Sequence, residues 1–154
     1  MNQSAVDQSR YKWRHVTDED NTAFLIDHDY TILGHDLEAG TLDMLVRWRP
    51  EGGHCHIHRH TATTTVLVLE GEQHLDDLAP DGSVVQHRVR RAGDYALTGE
   101  ESLPHLETGG ADGGLVFFGC HSDRGSLYEI LDQDMNPVIE VTMELLIADW
   151  EANT

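Results

Sequence analysis

Residues 54–60, HCHIHRH, place four of the chain's eleven histidines at every second position. On an extended strand, residues two apart share a face. His54, His56, His58 and His60 then project together, with Cys55, Ile57 and Arg59 on the opposite side. Neutral imidazole is the commonest metal-binding side chain, and two from neighbouring positions on one face can grip a divalent ion at ~2.0–2.1 Å. A surface strand has no other reason to carry four, so the stretch predicts a metal site rather than incidental polar residues.

Other groups with chemical potential are weaker. Cys120-His121 follows an apolar run, where a free thiol ordinarily packs into the core, and a nucleophilic Cys–His pair needs spatial adjacency as well as sequence adjacency. The two cysteines, Cys55 and Cys120, form neither a disulfide framework nor a CxxC motif. Asp132, Asp134 and Asn136 alternate like the opening of a calcium loop, but Pro137 and Met143 occupy the slots that need Gly and a bidentate Glu, so DQDMNP reads as a turn. GGADGG, residues 109–114, lacks a following Lys-Ser/Thr and reads as a loop before a strand. His74 and His87 fall on opposite arms of an expected hairpin and, with no third ligand, read as surface residues.

The elements that must position the histidines are mostly strands. TLDMLVRWRP (41–50) is rich in β formers and stops at Pro50, and TTTVLVLEGE (63–72) reads as a buried strand ending at Gly71. EQHLDDL and SVVQHRV flank the turn APDG as a hairpin; LVFFGC (115–120) and GSLYEIL (125–131) complete the set. Many short strands with closely spaced turns predict an all-β sandwich or barrel. Met143, Leu146, Ile147 and Trp150 fall at i, i+3, i+4 and i+7, which predicts one amphipathic helix starting at Thr142, closing a barrel mouth or serving a dimer contact. The expected organisation is an N-terminal arm (1–22) with a short strand around Trp13–Val16, a barrel (23–140), and a C-terminal helix and tail (141–154).

Length and charge bound the function. At 154 residues the chain suits one domain. Twenty-eight acidic residues against ten Lys plus Arg give −18, a field that repels nucleic acid and anionic lipid and argues for a small-molecule partner. The acidity itself reads as a solubility feature or adaptation to a salty medium. No apolar run approaches the ~20 residues of a membrane span, and MNQSAVDQSRYKWR lacks a signal peptide's apolar core, so a soluble cytoplasmic protein is expected.

These residues resemble the cupin superfamily. Its first motif runs Gly, several residues, His-x-His, three or four residues, Glu, six residues, Gly. Counting back from Gly71 places His58 and His60 as the pair and puts Thr64 in the Glu slot. In the second motif Gly93 fits the start, Gly99 takes the Pro slot, and His105 arrives one residue late, after Pro104. The resemblance spans roughly residues 45–120. It implies a double-stranded β-helix (jelly-roll) barrel with metal ligands His58, His60 and His105 inside. Threonine is a poor ligand, so the implied site is three neutral histidines, open to water, dioxygen or a chelating anionic substrate. His56 is a substitute ligand or a neighbour that orients one, His54 stands at the rim, and Thr64 leaves room and a hydroxyl. Glu100, Glu101 and Glu107 are candidates for the missing carboxylate, though solvated loop acids are the simpler reading.

A subset of cupins, the acetylacetone dioxygenases and 2,4'-dihydroxyacetophenone dioxygenases, has this three-histidine arrangement. The stretches HRHTATTTVLVLEGE and LYEILDQDMNPVIEVTMELL are similar to theirs. The resemblance implies a non-haem iron(II) dioxygenase that cleaves a carbon–carbon bond in a β-diketone or hydroxy-ketone, with VLVL and LVFF drying the pocket. Two alternatives stay open: a redox-neutral zinc or nickel cupin (isomerase, cyclase or hydrolase), and a non-catalytic small-molecule-binding module. The resemblance also implies a homodimer, for which the covering of sheet edges is a physical reason.

Overall fold

The computed structural model describes residues 4–50 and 52–154. Residues 1–3 of the expected arm lie outside the described part. Among the described residues a short 3-10 helix (Gln8–Arg10), ten strands and one α-helix follow in order: β1 (Arg14–Thr17), β2 (Asp27–Asp36), β3 (Thr41–Trp48), β4 (His58–His60), β5 (Thr63–Leu78), β6 (Val84–Arg91), β7 (Tyr95–Thr98), β8 (His105–His121), β9 (Ser126–Leu131), β10 (Pro137–Thr142) and α1 (Met143–Ala152).

The strands form a curled antiparallel sheet in the order β1-β2-β3-β8-β4-β9-β10, with β5 running along β8 and carrying β6 and β7. The strand and turn pattern leads one to expect an all-β sandwich or barrel, and this is the jelly-roll barrel that the cupin resemblance implies. β8 is the spine: Thr41–Trp48 pair with one edge of it and Thr63–Gly71 with the other, over His121 back to Gly114. Alternation along β2, β3, β5 and β8 turns Tyr30, Ile32, Leu42, Met44, Val46, Val66, Val68, Val116 and Phe118 inward as one apolar cluster. Each such side chain taken from water contributes roughly 1.5–3 kcal/mol before the cost of ordering the chain.

Two sequence expectations change here. The strand from Thr63 does not end at Gly71; it bends there, at φ +64, and continues to Leu78. GGADGG is likewise no loop. It lies inside β8, where the register passes from Gly71↔Gly114 to Gln73↔Gly109, so one residue of β5 faces four residues of β8. Glycine is required at the crossing: a Cβ on Gly71 would sit 2.4 Å from the carbonyl oxygen of Gly113. This double bend lets one continuous strand pair build both the back wall and the hairpin arm, and it delivers the first residues of β8 beside β4.

The helix forms as its periodicity predicts. Thr142 caps it, its hydroxyl accepting from the Leu145 N–H at 3.1 Å, and Met143, Leu146 and Ile147 are buried in the barrel mouth. On the far side, Asp149 accepts from the Tyr30 hydroxyl at 2.5 Å and from Arg14 Nε at 3.2 Å, tying α1 to β2 and β1. DQDMNP is the expected turn, with Asp132 Oδ1 accepting from the N–H groups of Asp134 and Asn136. Among the described residues no helix is long and apolar enough to cross a membrane.

Candidate metal centre

His58 and His105 are directly opposed across the β4–β8 ladder, and His60, two residues along β4, projects from the same face. The three side chains converge: one ring nitrogen of each lies within 4.8 Å of the others, and all three residues are buried. Ring centroids are 4.4 Å apart for His58–His105, 5.2 Å for His58–His60 and 5.1 Å for His60–His105.

Their backbone surroundings fix which nitrogen faces the centre. His58 Nδ1 lies 2.7 Å from the His56 carbonyl oxygen and His105 Nδ1 lies 3.3 Å from that of Leu103. A carbonyl only accepts, so each Nδ1 carries the proton and each Nε2 keeps its lone pair. His105 Nε2 is fully buried and has no hydrogen-bond partner among the described residues. An orphaned buried acceptor among imidazoles is what a bound divalent ion would satisfy, so the residues present fit a metal. Burial, reinforced by the neighbouring imidazoles, holds His60 well below the usual histidine range, and burial with His58 lowers His105 against the opposing pull of Glu107. Both are neutral and ready to ligate at neutral pH.

The remaining predicted residues are placed as follows. Only His58–His60 of the HCHIHRH stretch is strand, so the four-histidine face does not persist. His56 lines the same cavity as His58 and His60, its Nε2 2.8 Å from Asp18 Oδ2, and that bond holds the Asp18 carboxyl below its ordinary range. Cys55 also lines the cavity instead of projecting oppositely, because residues 55–57 are irregular. His54 does not stand at the rim: its backbone bridges Ile26 and Thr108, and its ring packs edge-on against Phe24 at 5.5 Å. Thr64 is fully buried and donates its hydroxyl to the Ala62 carbonyl at 3.0 Å. Cys120 sits in the core, where burial pushes its thiol up to about 11. His74 and His87 do face each other, 5.4 Å between centroids, each held by a carboxylate of its own strand or the next.

Glu107 corrects the reading of the acids near His105 as solvated. It is 2% exposed, its Oε1 lies 3.4 Å from His58 Nε2 and 3.6 Å from His105 Nε2, and its Oε2 accepts from Gln73 Nε2 at 2.6 Å. Burial alone would raise this carboxyl's pKa. Only a proton on the His105 or His58 ring turned toward it outweighs burial and brings Glu107 well below the usual range in the metal-free site; with both rings neutral, a cation has to take that place. Its strand position gave the signal: in β8, Glu107 shares the inward face of His105. His28, unlike Glu107, was not singled out in the sequence. It lies on β2 on the face of Tyr30 and Ile32 and lines the cavity.

The cavity measures about 440 Å³. His28, His56, His58, His60 and Glu107 line it together with Asp18, Arg14 and Asp149; Val16, Met44, Val46, Phe118, Ile139 and the α1 residue Leu146 are its apolar lining. Of the VLVL and LVFF strands expected to dry it, only Phe118 reaches this lining.

No protein-family model matches the sequence, and no curated protein sequence matches it. Solved structures do match in shape. An acetylacetone dioxygenase from Acinetobacter johnsonii is similar with a TM-score of 0.69 at 12% identity, over 100% of this chain and 93% of its own. An RmlC-like cupin protein from Ralstonia eutropha gives 0.67 at 17%, over 99% and 87%. A cupin-2 domain from Rhodospirillum rubrum gives 0.60 at 17%, over 96% and 86%.

Proposed function

With the cupin fold as premise, we propose that this protein is a metal-dependent dioxygenase that cleaves a carbon–carbon bond in a β-diketone or hydroxy-ketone. The observation that carries the proposal is the convergence of three buried histidines, two of which, His58 and His60, line a largely apolar cavity, His105 Nε2 having no partner of its own among the described residues. His58, His60 and His105 would hold the ion. When bound, iron(II) supplies Lewis acidity toward the two oxygens of a chelating enolate and a site where dioxygen is activated.

The chain's own residues do the rest. The apolar walls exclude water and fit the body of a substrate whose polar head reaches the histidines, and the cavity volume falls within the usual range for small-molecule sites. His56, braced by Asp18, and His28 add two imidazoles to the polar wall, suited to hydrogen bonding a carbonyl or enol oxygen. The similarity in fold to an acetylacetone dioxygenase supports this reading at the level of fold.

The test is oxygen uptake. Protein stripped of metal and reloaded with iron(II) is offered a panel of β-diketones and hydroxy-ketones in an oxygen-electrode cell. Uptake matched to substrate loss, and absent in His105→Ala, is the expected result. Turnover with zinc or nickel and no oxygen uptake would replace it with redox-neutral chemistry at the same histidines. Retention of a ligand without turnover under any metal would make the protein a binding module.

A further inference from the structure

Glu107 carries a charge that its protein surroundings leave largely unanswered. Its side chain is 3% exposed. Oε2 is taken by Gln73, which is fully buried and spends its own carbonyl oxygen on Arg90 Nη1 at 3.1 Å. The nearest cation on that side is thus one amide removed. On the other side, Oε1 meets His58 Nε2 at 3.4 Å and His105 Nε2 at 3.6 Å. Because both rings give their Nδ1 protons to backbone carbonyls, those Nε2 atoms present lone pairs. Three lone pairs facing one another in a buried space repel unless a cation stands between them. Those two spacings match neighbouring donors at ~2.1 Å around a tetrahedral ion, roughly 3.4 Å apart, although the group whose ligand atoms all lie within 4.8 Å of one another holds His58, His60 and His105 without Glu107.

We propose that Glu107 is a fourth protein ligand of the centre, through Oε1, reaching it from β8 while the β5 position expected to supply a carboxylate holds Thr64. Gln73 and Arg90 hold its other oxygen and so aim it. The donor set becomes three neutral imidazoles and one carboxylate. A divalent ion in it keeps one net positive charge, which suits a monoanionic chelate such as an enolate over a neutral ketone or a dianion. This inference rests on the metal-binding part of the preceding proposal and not on its oxygen chemistry.

Cobalt(II) added to the metal-free protein is the probe, read by its visible ligand-field spectrum and by competition with a chromophoric chelator. Wild type, Glu107→Gln and His58→Ala are compared, with circular dichroism on each metal-free variant. The expected result is one cobalt per wild-type chain, and in Glu107→Gln an affinity at least about 10-fold lower together with altered band positions and intensities. Loss of an outer positioning group lowers affinity on a similar scale, so the spectrum decides. A Glu107→Gln complex that keeps the wild-type bands overturns the proposal, whatever its affinity. Wild-type bands in His58→Ala would instead overturn the metal centre itself, and Glu107's role with it. If Glu107→Gln does not fold, Glu107→Asp replaces it: that variant keeps the charge and withdraws the oxygen by one methylene. Changed bands there support ligation, and unchanged bands overturn it.

Discussion

His28 shows how the cavity wall couples to stability. Burial, the largest influence, lowers its pKa from 6.5 to about 4; Glu107 pulls it up, and His56 and His58 push it further down. Its Nδ1 is buried without a partner among the described residues. Between pH 6.5 and 4 the unfolded chain therefore binds a proton here that the folded chain refuses. The stability from keeping His28 neutral is full above pH 6.5, falls as the pH drops through that window, and is constant below it. The whole effect is on the order of 3 kcal/mol. Urea unfolding of the metal-free protein at pH 7 and pH 4, beside His28→Leu, measures it. The variant should gain on wild type by about that amount as the pH falls, and parallel losses in the two proteins would refute the assignment. Glu107 belongs to the same scale. Reading the acids near His105 as solvated failed there because an acid is buried or solvated according to its cross-strand neighbours, and Gln73, its partner, lies 34 residues away in sequence.

At the scale of elements, legibility followed the range of the physics. Strand alternation, the APDG turn and the Thr142-capped helix are local properties, and all appear where their residues place them. Alternation alone put four histidines on one face; the pair His58 and His60 was singled out by the resemblance to the cupin motif counted back from Gly71, since nothing local shows that the strand begins at His58. The bend was not legible, because its glycines looked like endings until the partner strand was seen beside them. Gly71 tests that view. At φ +64, with a Cβ destined for 2.4 Å from the Gly113 carbonyl oxygen, Gly71→Ala meets both backbone strain and a clash. It should cost about 2–4 kcal/mol in urea unfolding. Gly34→Ala, on β2 with nothing within 4 Å of the added carbon, should cost under about 1 kcal/mol. Equal losses in the two variants would mean that the crossing can relax and that the bend does not depend on glycine.

For the whole molecule the deciding quantity is the charge of −18. Several of the ten cationic side chains are already paired: Arg14 with Asp149, Arg47 with Asp29, Arg59 with Glu129 and Arg88 with Asp77. Most acidic residues consequently face water and one another, and compaction brings them closer than they stand in the unfolded chain. Screening that repulsion stabilises the folded state; screening the exposed pairs removes little, because each is worth at most about 1 kcal/mol. The thermal midpoint of the metal-free protein should thus rise by several degrees between ~10 mM and ~0.5 M salt, where the Debye length shrinks below roughly 5 Å. Sodium chloride and potassium chloride should act alike, since the effect comes from ionic strength and not from the exclusion that makes sulfate stabilising. A midpoint that stays level or falls would show that the ion pairs outweigh the excess charge. The same field draws divalent cations toward the chain, so added salt should also slow metal loading, even though the buried histidines are themselves shielded from it.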